Sequence, residues 1–352
     1  MSKPVFISYR RSAGFSLVEL MVGIVVAMAA VIVVMQVFKV SEGQRRNTTG
    51  GDDASTTGAI ALSLLQRDLR QAGQGFSNPE MLDCQLNLGN NRNVTELVPV
   101  MINPADVPDG DDNTDVLYIS YGSGWGAPEG GRIISQPGAA TYSVGAPQAY
   151  QVGDRVVATP PARATPCVLN LTGLAAAPAA QSVTVTLGMA NASNGALFNL
   201  GRTPRFVAYA VRSGRLTACD MLTQDCKSAA PDNWTEIADN IVSLRAEYAI
   251  DTSVPNRSMV VGGYARTAPT AAFGTVCAWT RVIGVHLVIV ARSRQSELEE
   301  VTNTNTAPTW ASNTGTPITL EDGWKNYRYK TFETTVPLRN LPVTFSGCPG
   351  PL

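Results

Sequence analysis

The residues whose types could support catalysis or metal binding are few and widely spaced in this sequence. The chain has a single histidine, His286, and its six cysteines include no Cys-x-x-Cys pair. These two facts argue against histidine-based catalysis and against a zinc site. No nucleophile elbow, phosphate-binding loop or paired-carboxylate site stands out by its spacing. We therefore expect a protein that is not an enzyme, with no cofactor and no metal.

One acidic segment has the alternation of a calcium loop. Acidic or amide side chains occupy every second position, at Asp109, Asp111, Asn113 and Asp115. However, Thr114 stands where a calcium loop has its glycine, and Ser120 stands where it has its final glutamate. A solvated acidic turn before a strand is the better interpretation, and calcium binding at residues 109–115 stays open.

Composition favours a loop-rich β protein with a membrane contribution. Lys and Arg total 27 and Asp and Glu total 28, which gives a net charge of −1 and no basic surface for nucleic acid. Charged residues make up only 16% of the chain, which also contains 31 glycines and 22 prolines. Function must therefore come from the ends of the chain and from its architecture.

The N-terminal region reads as a membrane anchor. Residues 15–38 form a largely apolar run with a single charge, Glu19, and as a helix they would span about 36 Å, enough to cross a bilayer. Lys3, Arg10 and Arg11 precede the run, which predicts a cytoplasmic N-terminus and an external C-terminal part. A carboxylate within a membrane helix costs about 2.5–3.5 kcal/mol, so we expect Glu19 to find a partner on assembly.

Residues 14–20 (GFSLVEL) resemble the type III signal of type IV pilins and pseudopilins. The resemblance implies that a prepilin peptidase cleaves between Gly14 and Phe15, and that Phe15 is then N-methylated. It also implies that Glu19 pairs with the amino group of a neighbouring subunit in the filament. Residues 1–14 would then be a leader peptide that is removed.

The rest of the chain resembles PilW-type minor pilins in short stretches. Residues 65–73 (LQRDLRQAG), 114–119 (TDVLYI), 237–248 (IADNIVSLRAEY) and 332–340 (FETTVPLRN) carry this resemblance. J-type minor pseudopilins of type II secretion share part of the pattern but are usually shorter. The resemblance implies an α+β, type IV pilin-like fold, in which a long N-terminal helix with a membrane half and a docked half packs on an antiparallel β-sheet domain with long loop insertions.

This organisation divides the chain into four segments. We expect the leader at 1–14, a membrane and filament-core helix at 15–38, a periplasmic continuation of the helix at 39–75, and a periplasmic β-rich domain at 76–352. Residues 47–51 (NTTGG) should interrupt the helix, and Gly73 or Gly75 should end it. Strands are predicted at 98–102, 115–121, 151–158, 182–187, 206–211, 216–219, 242–250, 282–291 and 327–338, with a hairpin turn at 212–215 and surface loops at 122–148, 188–204 and 252–276.

The six cysteines fit an oxidising compartment outside the cytoplasm. Cys219 and Cys226 close a six-residue loop after a predicted hairpin strand, and we favour this pair as a disulfide. The connectivity of the other four stays open, namely Cys84, Cys167, Cys277 and Cys348. His286 lies within a predicted strand and is interpreted as a core or sheet-face residue.

The resemblance implies a structural role. The protein would be held in the inner membrane as a single-pass protein before assembly, would prime pilus polymerisation with other minor pilins and the major pilin, and would remain in the pilus with a tip adhesin. Pilus biogenesis, twitching motility and adhesion would depend on it. Two alternatives remain: a J-type pseudopilin of type II secretion, and a membrane-anchored adhesin or ligand-binding module.

Overall fold

The chain forms two compact units, residues 1–50 and 51–352. The computed structural model describes residues 14, 16–76, 78–124, 126–253, 258–268, 275–302, 320 and 323–340. Helix α1 (Leu17–Gln71) begins in the first unit and ends in the second. In the first unit, all described residues after Ser16 are helical and the large apolar side chains from Leu17 to Val40 are exposed.

Helix α1 does not break where the sequence predicts an interruption. It continues through Gly50 and Gly51, so the predicted interruption at residues 47–51 is wrong. Each glycine costs about 1 kcal/mol relative to alanine, which is small for a helix whose later turns are buried from Ala54 onward. The helix ends at Gln71, and Gly73 follows in the left-handed region at φ +82°, close to the predicted end.

The described residues after α1 form 17 strands, one short α-helix and three 3₁₀ helices. In chain order the strands are β1 (Gln85–Gly89), β2 (Arg92–Val94), β3 (Val100–Ile102), β4 (Leu117–Tyr121), β5 (Gly131–Gly138), β6 (Thr141–Val144), β7 (Arg155–Thr159), β8 (Val168–Gly173), β9 (Ser182–Thr184), β10 (Ala196–Gly201), β11 (Arg205–Arg212), β12 (Arg215–Asp220), β13 (Thr235–Ala238), β14 (Ile241–Ile250), β15 (Gly263–Ala265), β16 (Val282–Arg292) and β17 (Tyr329–Pro337). Helix α2 (Thr275–Trp279) lies between β15 and β16.

These strands form three sheets. The first has the order β2-β1-β8-β7-β10-β5-β6-β9, the second β13-β12-β11-β4-β3, and the third β15-β14-β16-β17. The α+β prediction is confirmed, with one difference in strand direction: β1 and β8 pair in parallel. A parallel pair requires a long connection, and here the intervening chain forms β2 to β7.

Each predicted strand overlaps an observed strand, but the three predicted loops are wrong in part. They contain β5, β6, β10 and β15. Strand β10 is the clearest case, since Leu197, Phe198 and Leu200 are fully buried. Its short apolar stretch is flanked by Gly and Asn, a composition typical of loops, and tertiary burial overrides that local signal.

The second unit contains two main apolar clusters. The larger one joins the docked part of α1, through Leu65 and Leu69, to the second and third sheets, through residues such as Phe206 and Val285. The smaller one lies within the first sheet, around Tyr142 and its neighbours. The long insertion between β4 and β11 therefore builds its own core and is not a set of surface loops.

Candidate functional site

The N-terminal segment places the predicted processing and assembly residues at the start of α1. Gly14 and Ser16 are exposed, and the backbone N–H of Leu20 donates to the Ser16 carbonyl at 3.1 Å as the helix begins. Glu19 lies in the first turn, where a negative charge is favoured by the helix dipole. Phe15 lies outside the described residues.

The Glu19 side chain is exposed in the isolated chain. Within the part of the chain that the structure describes, no ion pair or hydrogen bond engages its carboxylate. The apolar residues that follow it give an 18-residue window with a mean hydropathy of 2.9, none of it buried. Among the described helices, only α1 is long and apolar enough to cross a membrane.

In the second unit, α1 is held on the second sheet by a buried carboxylate. Asp68 is only 1% exposed, and the Tyr209 hydroxyl of β11 donates to its Oδ2 at 2.5 Å. The Arg67 Nε donates to Oδ1 at 3.2 Å from the solvent side. Burial, reinforced by the Asp68 charge, raises the pKa of Tyr209 and raises that of Tyr121 to about 12. Both phenols therefore stay protonated and able to donate.

Two further contacts fix the same part of α1. A Cβ added to Gly58 would lie 2.1 Å from the Phe332 ring of β17, so only glycine permits this close approach. The Asn340 side-chain amide lies 3.4 Å from the Arg70 carbonyl oxygen and 3.2 Å from those of Gln71 and Ala72. Asn340 thus satisfies carbonyls that the end of a helix leaves without partners.

These docking residues were not predicted from the sequence. The resemblance of residues 65–73 and 332–340 to PilW-type pilins implies no role for Asp68 or Asn340. The available signal was an aspartate within an apolar stripe, which needs a buried donor, and an asparagine that follows a strand. The sequence could not identify Tyr209 as that donor, because 140 residues separate it from Asp68.

The acidic segment, residues 109–115, contacts the turn of the β11–β12 hairpin. Strands β11 and β12 are joined by a two-residue turn, Ser213 at φ 53° and Gly214 at φ 68°, as a type I′ turn requires. Asp111 accepts the N–H of Ser213 on Oδ1 and that of Gly214 on Oδ2, each at 2.7 Å. The predicted turn at residues 212–215 is confirmed, and its partner is the acidic segment.

Asp115 is not solvated, so the expectation of a solvated turn is wrong at this position. It is 1% exposed, and Arg266 and Arg245 donate to its Oδ1 at 2.7 Å and 3.4 Å. The backbone N–H of Ala246 donates to Oδ2 at 3.0 Å, joining Asp115 to β14. In the described residues, no group of three or more His, Cys, Asp or Glu side chains could hold a metal ion.

Two disulfides join described residues. Cys219 and Cys226, the pair favoured from the sequence, are bonded across a separation of seven residues. Cys84 and Cys167 are bonded beside the parallel β1–β8 pair and close a separation of 83 residues. Cys277 is also disulfide-bonded, and Cys348 lies outside the described residues.

His286 is a buried sheet residue on β16, as predicted. Its Nδ1 lies 3.1 Å from the Thr335 Oγ1, and its Nε2 lies 3.1 Å from the Glu333 Oε1, both on β17. The Tyr264 ring makes an edge contact at 5.4 Å between ring centroids. These contacts join β16 to its neighbour β17, and also to β15, which lies on the far side of β14 in the third sheet.

Two family models match the chain. The model of the prokaryotic N-terminal methylation motif matches residues 9–35, and the model of type IV pilus-assembly protein W matches residues 208–340. Both matches agree with the resemblance of this chain to PilW-like type IV minor pilins. No curated protein and no solved structure matches it.

The PilW match covers the residues that receive the docked helix. Tyr209, Phe332 and Asn340 all lie within 208–340, and each contacts the part of α1 in the second unit. All strands of the first sheet lie between β1 and β10, outside both matches. PilW-like pilins are structural components of pili and are not an enzyme family, which agrees with the non-enzymatic prediction.

Proposed function

We propose that this PilW-like protein primes type IV pilus assembly and is incorporated into the pilus, where it supports twitching motility and adhesion. The observation that carries the proposal is the combination, in one chain, of the methylation motif at 9–35 with the PilW match at 208–340. Its partners are the prepilin peptidase, other minor pilins, the major pilin and a tip adhesin. The PilW match favours this role over a type II secretion pseudopilin.

Processing is the first step of the proposed mechanism. The basic residues of 1–14 stay in the cytoplasm, residues 15–38 span the inner membrane, and the β-rich domain lies in the periplasm. The prepilin peptidase cleaves between Gly14 and Phe15, and Phe15 is N-methylated. The removal of Lys3, Arg10 and Arg11 then frees the apolar helix to leave the membrane for the filament core.

Charge pairing sets the position of the subunit in the filament. Glu19 is exposed on a helix with a mean hydropathy of 2.9, and a lone carboxylate in such surroundings needs a positive partner. In a neighbouring subunit, cleavage creates a new N-terminal amino group on the residue that corresponds to Phe15. This amino group is the positive partner of Glu19. Attraction between two unit charges is strong in an apolar filament core, because the dielectric constant there is low.

The test compares Gly14→Val, Glu19→Ala and a control, Glu42→Ala, in the native host. Glu42 is exposed on the same helix and pairs with Arg46 at 3.2 Å, beyond the apolar run. Gly14→Val should leave uncleaved protein, which mass spectrometry of the N-terminus detects. Glu19→Ala should be cleaved and inserted yet absent from sheared pili, whereas Glu42→Ala should be incorporated. Normal incorporation of Glu19→Ala would contradict the pairing, and cleavage of Gly14→Val would contradict the processing site.

A further inference from the structure

A pocket of about 440 Å³ opens in the second unit at one end of the third sheet. It lies where the β11–β12 turn meets the end of β16 and the start of β17. Its volume falls within the range of about 300–1,000 Å³ that is usual for small-molecule sites. Neither the assembly role nor the docking of α1 uses it.

Aromatic rings form part of the pocket lining. Trp324, Tyr327 and Tyr329 all contribute to its wall, and each of them is only partly buried. The Arg292 guanidinium lies over the Tyr327 ring, 4.5 Å from its centroid. Partly exposed rings in a concavity offer flat apolar faces to a ligand, and hydrogen atoms on carbon pack well against such faces.

Polar groups with unused hydrogen-bonding capacity also line the pocket. Asp112 and Asn113 are exposed at the rim, and in the described part of the chain their side chains make no hydrogen bond or ion pair. The Arg292 Nε is buried and has no hydrogen-bond partner among the described residues. Buried donors in native proteins are usually paired, so this one is available to an acceptor on a ligand. Asp111 holds the adjoining turn, and its contacts with Ser213 and Gly214 keep the rim in place.

The charges of the lining select the class of ligand. A cation would face the Arg292 guanidinium, and an anion would face the Asp111 and Asp112 carboxylates. A neutral ligand rich in hydroxyl groups avoids both repulsions, because a hydroxyl donates to a carboxylate or amide oxygen and also accepts from a guanidinium. A pyranose ring adds a face of C–H groups that suits the aromatic wall. We propose that this pocket binds a neutral saccharide of a surface glycan.

The test is isothermal titration of the full-length protein in a zwitterionic detergent that contains no sugar. The probes are four neutral disaccharides: maltose, lactose, cellobiose and N,N′-diacetylchitobiose. Spermidine and sialic acid serve as the cationic and anionic comparisons. The variants are Trp324→Ala, which removes an aromatic face, and Asp112→Ala, which removes an exposed acceptor. Asp232→Ala is the matched control, because Asp232 is also an exposed aspartate but does not line the pocket.

We expect at least one neutral disaccharide to bind saturably at millimolar concentration. Asp112→Ala should weaken that binding by about three- to tenfold, the loss of one hydrogen bond, and Trp324→Ala should weaken it further. Asp232→Ala should bind as the wild type does. The proposal is overturned if none of the four disaccharides binds, if binding survives both pocket substitutions, or if spermidine or sialic acid is preferred. Titration reads binding on the purified protein, so its result is independent of whether the protein assembles pili.

Discussion

The contact between Asp68 and Tyr209 is predicted to hold the docked part of α1 on the second sheet. The perturbation is Asp68→Ala. It removes a carboxylate that is 1% exposed and leaves the Tyr209 hydroxyl, on a residue 5% exposed, without its acceptor. Asp53→Ala is the control, since Asp53 is an exposed aspartate on the same helix.

The magnitude follows from the burial of both partners. A hydrogen bond to a charged group contributes about 1.5–3 kcal/mol, and an unpaired buried hydroxyl costs about 1–3 kcal/mol. These figures describe overlapping parts of one effect, so we expect Asp68→Ala to lower the free energy of unfolding by about 2–3 kcal/mol. For a unit of this size, that corresponds to a melting temperature lower by about 3–5 °C.

The assay is thermal and urea unfolding of the full-length protein in detergent, followed by tryptophan fluorescence. A double-mutant cycle with Tyr209→Phe isolates the pair. Because removing both partners leaves no orphaned group on Tyr209, Asp68→Ala combined with Tyr209→Phe should recover about 1 kcal/mol relative to the sum of the single losses. A loss below about 0.5 kcal/mol for Asp68→Ala, or strict additivity in the cycle, would refute the reasoning.

Three further predictions use the same unfolding measurement. Gly58→Val should cost about 1–3 kcal/mol because its side chain meets the Phe332 ring, and adding Phe332→Leu should restore part of the loss; equal stability of wild type and Gly58→Val would contradict the close approach. Replacing Cys84–Cys167 by serines should cost about 4–5 kcal/mol, against about 2–3 kcal/mol for Cys219–Cys226, because the separations are 83 and 7 residues; the reverse order would contradict the loop-entropy argument. Burial alone would raise the pKa of Asp251, but hydrogen bonds from the loop after β14 outweigh it and lower the pKa to about 2. The contribution of Asp251 to stability should therefore be complete above pH 3.8 and lost as the pH falls through about 2. The urea midpoints of the wild type and of Asp251→Asn should differ above pH 3.8 and converge only near pH 2.

The N-terminal membrane anchor could be predicted from the sequence because its signals are local. The apolar run, the single Glu19 and the adjacent basic residues lie within 40 positions, and their order alone indicates a membrane anchor. The β11–β12 hairpin was also predicted, since Ser213-Gly214 is a local turn signal between two apolar stretches.

The rest depends on contacts between distant residues. The length of α1 was misjudged at Gly50-Gly51 because helix propensity is weak against tertiary burial. The first sheet was missed in part because β5, β6 and β10 carry loop-like compositions. The smaller core around Tyr142 stabilises β5 and β6, and β10 packs into both cores. The roles of Asp68, Asp115 and Asn340 depend on partners 130 residues away or more, which spacing along the chain does not reveal.

The central claim is that this protein acts in the assembly of type IV pili, and a clean deletion in the native host tests it most directly. Surface pili are sheared and counted in the deletion strain, in the strain complemented with the intact gene, and in one complemented with Glu19→Ala. We predict few or no pili after deletion, restoration by the intact gene, and no restoration by Glu19→Ala. Pili at the wild-type level in the deletion strain would contradict the assembly role and direct attention to secretion or surface binding.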